Sequence, residues 1–284
     1  MKKVSPFLWF NGTASDAATF YTSLFPESSI THADPMIITF TLSGQQFTAL
    51  NGGPMYTLNP SISLFITCET EEETDRLWKQ LSEGGKVMMQ LDNYPWSQKY
   101  GFWQDKFGLS WQIMWTKMED VGQKITPSLL FVGKEYGHGE EAIKFYTSIF
   151  PDSSIRGINR NGPGEPAPEG KLKHGQFTIG GTVMMAMDGF GNHEFGFNEA
   201  FSLFVECSNQ AEVDYYWNKL MEGGGNESQC GWLKDKFGVS WQVIPKMLMT
   251  LMGDKDREKS GRVMQAILKM KKIIVADLEK AYAG

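Results

Sequence analysis

Asp105-Lys106-Phe107-Gly108-Leu109-Ser110-Trp111-Gln112 occurs a second time as Asp235-Lys236-Phe237-Gly238-Val239-Ser240-Trp241-Gln242. Glycine tolerates positive φ and Asp bonds its own backbone, so Asp-x-x-Gly predicts a tight turn. The alternating polar and apolar residues that follow predict a strand. Side chains alternate across a strand, which puts Ser110, Gln112 and Met114 on one face and Trp111, Ile113 and Trp115 on the other. A Gln beside apolar residues on one face, in both copies, marks that face as the expected lining of a site. Trp111 and Trp241 are expected to fill the core beneath the sheet, and Asp105 and Asp235 to cap their own turns.

The repetition extends outward. Phe20 to Ile30, with its Phe-Tyr-Thr-Ser-Leu-Phe-Pro core, returns as Phe145 to Ile155, and Ser63-Leu64-Phe65-Ile66 returns as Ser202-Leu203-Phe204-Val205. Matches in the same order along the chain imply a tandem duplication with units of about 120 residues, too long a period for a solenoid. In the first unit a strand over Pro6 to Phe10 leads to a helix, with Thr13 and Asp16 as its capping signal, ending at Pro26. Strands are predicted over 28–33, 36–42 and 46–51. The pattern then restarts: a strand over 61–68, a helix opened by the Thr70/Glu73 capping box, and strands near 86–90, 101–105 and 110–115. Each unit thus contains two strand-helix-three-strand modules. The second unit adds a longer first turn, Gly133 to Gly139, and a Pro/Gly loop from Asn161 to Gly170. In the tail, Val263, Ile267, Met270, Ile274 and Leu278 recur at helical spacing. The expected boundaries are 1–120, 125–246 and a helical tail over 247–284.

The 284 residues, 41% of them hydrophobic, carry a formal net charge of −6, which disfavours nucleic acid or an anionic membrane surface as partner. No signal-like segment or membrane span is expected, and the expected compartment is the cytoplasm. Three cysteines, Cys68, Cys207 and Cys230, form no C-x-x-C pair, so neither a disulfide framework nor a zinc cluster is suggested. His32, His138, His174 and His193 fall in predicted loops or strand edges and are read as solvated.

The four modules, the helix ending Phe-Tyr-x-Ser-x-Phe-Pro-Asp/Glu-Ser and the Asp-Lys-Phe-Gly-x-Ser-Trp-Gln strand resemble the PhnB-like branch of the vicinal oxygen chelate superfamily. That branch is also labelled demethylubiquinone 3-methyltransferase-like, and the superfamily includes glyoxalase I, extradiol dioxygenases and bleomycin resistance proteins. Phe197-Asn198-Glu199-Ala200 and Gln229-Cys230-Gly231-Trp232-Leu233 strengthen the likeness in the second half. The resemblance implies an α+β fold of four βαβββ modules in two tandem glyoxalase-like domains with cupped mixed sheets, plus a C-terminal helix. It also implies an internal pseudo-dimer, with the whole chain a monomer or a homodimer.

Enzymes of the superfamily hold a divalent metal in the cup through His, Glu or Gln. The first-strand ligand position falls at Pro6 and near Pro127, which bring no side-chain donor, and the runs 47–50 and 184–187 contain no carboxylate or imidazole. Ser63 and Ser202 stand at the next position. Gln112 and Gln242 match in kind, where glyoxalase-like enzymes carry Glu. No cofactor is therefore predicted: a divalent metal would have an incomplete ligand set. Methyl transfer is not expected either, because no glycine-rich turn opens an alternating strand-helix sheet.

The expected function is binding of a small apolar or aromatic molecule in the cups. Gln112, Gln242, Ser63, Ser202, Cys230, Asn51 and Asp188 are the candidate ligand-binding residues, and the second unit is expected to hold the fuller site. The alternative is a metal-dependent lyase, isomerase or dioxygenase of the vicinal oxygen chelate type.

Overall fold

The computed structural model describes residues 2–284. The chain divides into two compact units, Met1–Phe201 and Ser202–Gly284.

The first unit contains three modules. The first consists of β1 (Val4–Phe10), α1 (Ala14–Leu24), β2 (Ser29–Ala33), β3 (Ile37–Leu42) and β4 (Gln45–Asn51). The second repeats the plan with β5 (Ile62–Cys68), α2 (Glu71–Ser82), β6 (Lys86–Tyr94), β7 (Ser97–Gln104) and β8 (Ser110–Trp115). A one-turn helix, α3 (Met118–Val121), leads to the third: β9 (Ile125–Phe131), α4 (Gly139–Ile149), β10 (Ser154–Arg160), β11 (Leu172–Ile179) and β12 (Thr182–Asp188). In each module the first strand pairs in parallel with the last, and the last three form antiparallel hairpins.

The second and third modules share one eight-stranded mixed sheet, in the order β10-β11-β12-β9-β5-β8-β7-β6. The joint is an antiparallel pairing of β5 with β9, with Ser63 opposite Ser128 and Phe65 opposite Thr126. One cup therefore draws a module from each sequence repeat, where the sequence reading put both modules of a cup in the same repeat. The physical reason is chain path. β8 runs parallel to β5, and the short α3 connection then turns the chain back antiparallel on the other side of β5.

The helix side of this sheet is aromatic. Trp103 and Trp111 are fully buried there, and Trp78 of α2 meets Trp103 edge-on at 4.9 Å between ring centroids. Gly101 is required for that approach, since a Cβ there would stand 2.4 Å from the Trp78 ring.

Helix starts differ in part from expectation. Thr70 caps α2 as read, its hydroxyl accepting from Glu73 N at 3.1 Å. Thr13 makes no side-chain cap bond at α1. Asn51 takes that role from the end of β4, its Oδ1 accepting from Ala14 N at 2.9 Å.

The second unit holds the fourth module and the tail. β13 (Phe201–Cys207), α5 (Gln210–Met221), β14 (Asn226–Glu227), β15 (Trp232–Lys234) and β16 (Ser240–Pro245) make up that module, with β13 and β16 parallel and β14 to β16 antiparallel. The expected single C-terminal helix is instead three: α6 (Met247–Met252), α7 (Arg257–Ile267) and α8 (Val275–Ala283). The helical stripe breaks between Ile267 and Val275 because the backbone there is recruited elsewhere. Met270 O accepts from Cys230 N and Lys271 O from Gly231 N, both at 2.7 Å, which holds the segment out of the helix. Ile273, not Ile274, is then the buried residue.

Among the described residues no helix is long and apolar enough to cross a membrane.

Candidate functional site

The repeated Asp-Lys-Phe-Gly turn is a structural joint. Asp105 Oδ1 accepts from the backbone N–H of Phe107 and Leu109 at 2.8 and 3.1 Å, closing the turn as the sequence predicts. Its Oδ2 accepts from Trp111 Nε1 at 2.8 Å and from the Tyr21 hydroxyl of α1 at 2.6 Å. The second family motif, Phe20-Tyr21, is thus hydrogen-bonded to the first. Phe25 stacks on Trp111 at 6.1 Å, and Lys106 lies 4.3 Å from the centre of the Phe20 ring. Burial pushes the Asp105 carboxyl up while the four donors oppose it, and burial followed by the charge of Asp105 holds the Tyr21 phenol far above its usual range. Asp235 repeats the turn, its Oδ1 accepting from Phe237 N and Val239 N and its Oδ2 from Trp241 Nε1.

The opposite face of the shared sheet carries the Gln. Register places Ser110, Ser63 and Ser128 in one row across β8, β5 and β9, and Gln112, Phe65 and Thr126 in the next. Met185 of β12 lies opposite Ser128, and Phe102 of β7 opposite Gln112. Phe65, Tyr100, Val121 and Met185 form a buried cluster on this face, flanked by Met89, Phe102 and Met114. Met185 and Tyr100 lie four strands apart, about 19 Å in a flat sheet. Phe65, on the strand midway between them, and Val121 of α3 bridge that gap. α3 dips Val121 into the cup, held by Arg156 Nη1 and Gln176 Nε2 donating to Val121 O at 2.7 and 2.9 Å.

Within the cup Gln112 is gripped from both sides. Tyr100 Oη donates to its Oε1 at 2.7 Å, and its Nε2 donates to Ser63 Oγ at 2.8 Å. All three residues are buried. Ser110 Oγ and Thr126 Oγ1 are also buried on this face, without a hydrogen-bond partner. Burial raises the Tyr100 phenol, so it stays protonated and a donor. An aromatic run leads outward: Tyr94 meets Tyr100 edge-on at 5.8 Å and stacks at 5.1 Å on Trp96, which is 57% exposed. Tyr100 is the first-repeat counterpart of Cys230 and is not among the candidate residues read from the sequence. Its alternation with Phe102 on a strand next to Gln112 was the available signal.

Gln242 and Ser202 are likewise joined, Nε2 to Oγ at 2.9 Å. Their neighbours on that face, Ile244 and Phe204, pack into a cluster with Leu248, Val263, Ile273 and Leu278, so the tail covers the fourth module's half-cup. Cys230 is half-buried against this cluster in the left-handed conformation (φ 60°), and burial pushes its thiol up. Among the described residues no base or cation lowers that thiol's pKa.

Asn51 and Asp188 occupy equivalent strand ends and serve equivalent backbone. Asp188 Oδ1 accepts from Gly137 N and Gly139 N at the start of α4, and its Oδ2 from Leu172 N, as Asn51 does at α1. Asp188 lies opposite Phe131, on the helix side of the sheet and away from Gln112. On β9 the cup-facing residues are Thr126, Ser128 and Leu130; Pro127 lies opposite Leu64 and points to the helix side, one residue out of the parity that the sequence reading gave it. His174, read as solvated, is half-buried in β11, and burial lowers its pKa. Among the described residues no three His, Cys, Asp or Glu side chains converge as a metal site.

A family model described as 3-demethylubiquinone-9 3-methyltransferase matches residues 2–114 and again 123–244. The chain belongs to this family. The double match agrees with the tandem duplication. Among solved structures, the PhnB protein from Bacillus cereus is 40% identical over 40% of this chain and 98% of its own, with a TM-score of 0.38. Glyoxalase I from Zea mays is 12% identical over 84% of this chain and 92% of its own, with a TM-score of 0.55, and shares the fold. No curated protein matches.

Proposed function

We propose that the cup shared by the second and third modules binds a small, uncharged, largely apolar molecule oriented by the Gln112 amide. One observation carries this: Gln112 is pinned between Tyr100 and Ser63 on a buried floor where the Ser110 and Thr126 hydroxyls lack partners, beneath walls of Phe65, Met185 and Tyr100. Apolar walls with a few fixed polar groups are the usual make-up of a small-molecule site. Met89, Met114 and Met185 give those walls the adaptability of unbranched thioethers. Val121 packs against these walls from α3.

The divalent metal of the superfamily's enzymes does not fit these donors. Neutral hydroxyls and one carboxamide offer neither the imidazole, thiolate and carboxylate set that zinc takes nor the carboxylates that hard cations take. The methyl transfer in the family's description draws no support from the fold. Nucleotide-binding doubly wound sheets are mostly parallel with helices on both faces, whereas each module here is a mixed sheet rich in hairpins.

The test pairs two measurements. Neutral aromatic molecules are screened by calorimetry against wild type, Gln112→Ala and Tyr100→Phe, and Ni, Zn, Mn and Fe(II) are titrated into the same proteins after elemental analysis. Neutral ligands that bind wild type and weaken in both variants are expected. Stoichiometric metal lost in Gln112→Ala would overturn the proposal in favour of a metal-dependent lyase, isomerase or dioxygenase.

A further inference from the structure

The valences of Gln112 narrow the ligand class, on the condition that the cup is the binding site. A carboxamide has two N–H donors and two acceptor lone pairs. Tyr100 uses one lone pair of Oε1 and Ser63 one N–H of Nε2. One donor and one acceptor are left on the same planar group. Flipping the amide leaves the same count, because each hydroxyl donates or accepts equally well.

The two tethers come from opposite sides. Gln112 is on β8, Ser63 on the neighbouring β5 and Tyr100 on the neighbouring β7, so the amide is braced across three strands and cannot swing to meet arbitrary partners. It keeps one donor and one acceptor at fixed positions on one planar group. A buried polar group without a partner costs free energy, so a ligand that meets only one of the two forfeits the other.

Charge is excluded by the surroundings. The cluster around Gln112 consists of Phe65, Tyr100, Val121, Met185 and further Met and aromatic side chains. The Arg156 guanidinium is exposed and donates to Val121 O. A carboxylate beside Gln112 would be buried without a cation.

We propose that the cup selects a flat molecule bearing a neutral cis-amide edge, a primary carboxamide or a lactam, which pairs through its own N–H and C=O with the free donor and acceptor of Gln112 while its ring body covers Phe65. Register supports the length. Gln112, Phe65 and Thr126 stand in one row across adjacent strands, so the unpartnered Thr126 hydroxyl lies about 10 Å from Gln112, on the far side of Phe65. It can receive a second oxygen at the other end of a bicyclic body.

The experiment is calorimetric titration of wild type with isoquinolin-1(2H)-one, its N-methyl derivative, benzamide, benzoate and 1-methylnaphthalene as the apolar reference. The N–H lactam and benzamide are expected to bind at least tenfold tighter than the N-methyl lactam and benzoate. Gln112→Leu, of similar volume but without either valence, is expected to erase that preference while keeping the apolar reference. If the N-methyl lactam binds as well as the N–H lactam, or the preference survives in Gln112→Leu, the amide-edge inference is overturned while the cup remains a binding site. If no probe binds, including the apolar reference, the binding-cup reading falls with it. The wild-type comparison stands even where Gln112→Leu folds poorly.

Discussion

Tyr21→Phe isolates the bond that joins the two recurring motifs. Tyr21 is fully buried, and its hydroxyl donates to Asp105 Oδ2 at 2.6 Å. Phenylalanine keeps the ring, and with it the edge-on contact to Trp111 at 5.3 Å, so the hydroxyl alone is removed. A hydrogen bond to a buried carboxylate contributes about 1.5–3 kcal/mol, which sets the expected loss near 2 kcal/mol. Asp105 is not abandoned, because Trp111 Nε1 and the N–H groups of Phe107 and Leu109 still serve it. Asp105→Ala is much worse, since it strands those three donors and the Tyr21 hydroxyl together. At about 1–3 kcal/mol for each orphaned donor, the loss should exceed roughly 4 kcal/mol. Urea titrations followed by tryptophan fluorescence and far-UV circular dichroism measure both variants and the double mutant. In the Asp105→Ala background the Tyr21→Phe step should cost less than about 0.5 kcal/mol, a coupling near 2 kcal/mol. Equal costs in the two backgrounds, or a Tyr21→Phe protein as stable as wild type, would refute the joint.

Three further expectations concern other regions. Glu140 is held at about 2 by its hydrogen bonds to Arg160 and Lys144, so its contribution is present above its ordinary value of 4.5 and fades as pH falls toward 2. Arg160 is half-exposed, which limits the contribution to about 1 kcal/mol, and Glu140→Gln should flatten the acid limb of the stability profile by that amount. Burial raises the Cys68 thiol to about 12 and pushes Cys230 up as well, so a disulfide exchange reagent at pH 8 should modify Cys230 slowly and Cys68 only on unfolding. Gly231→Ala, at φ +83°, would set a Cβ 2.6 Å from Ile244 Cδ1 and 3.0 Å from Val243 O; Gly108→Ala, at φ +88°, meets nothing within 4 Å. Thermal denaturation should show Gly108→Ala losing about 1–2 kcal/mol for the left-handed backbone alone and Gly231→Ala losing more, with the tail released to proteolysis.

Local patterns in the chain determined a good deal. The period-two alternation after Asp105 assigned Trp111 to the buried helix side and Gln112 to the other face, and the structure places both so. The duplication, the four βαβββ modules and the Thr70 cap were legible for the same reason: strand parity, helix caps and turn residues are set by neighbours within a few positions. Pro127 shows the limit of that logic. A slip of one residue reverses the face, and only the pairing of β9 with β5 shows Thr126 and Ser128 turned to the cup.

Tertiary structure alone decided which modules share a sheet. Nothing local distinguishes β5 meeting β9 from β5 meeting another edge; the path of the connection through α3 does. It also turned Asn51 and Asp188 from candidate ligands into anchors for the starts of α1 and α4, brought Tyr100 onto Gln112, and broke the tail helix where Cys230 and Gly231 claim its backbone. Those outcomes depend on partners far away in sequence. Side-chain periodicity reports which face a residue occupies, and only long-range contact determines what that face meets.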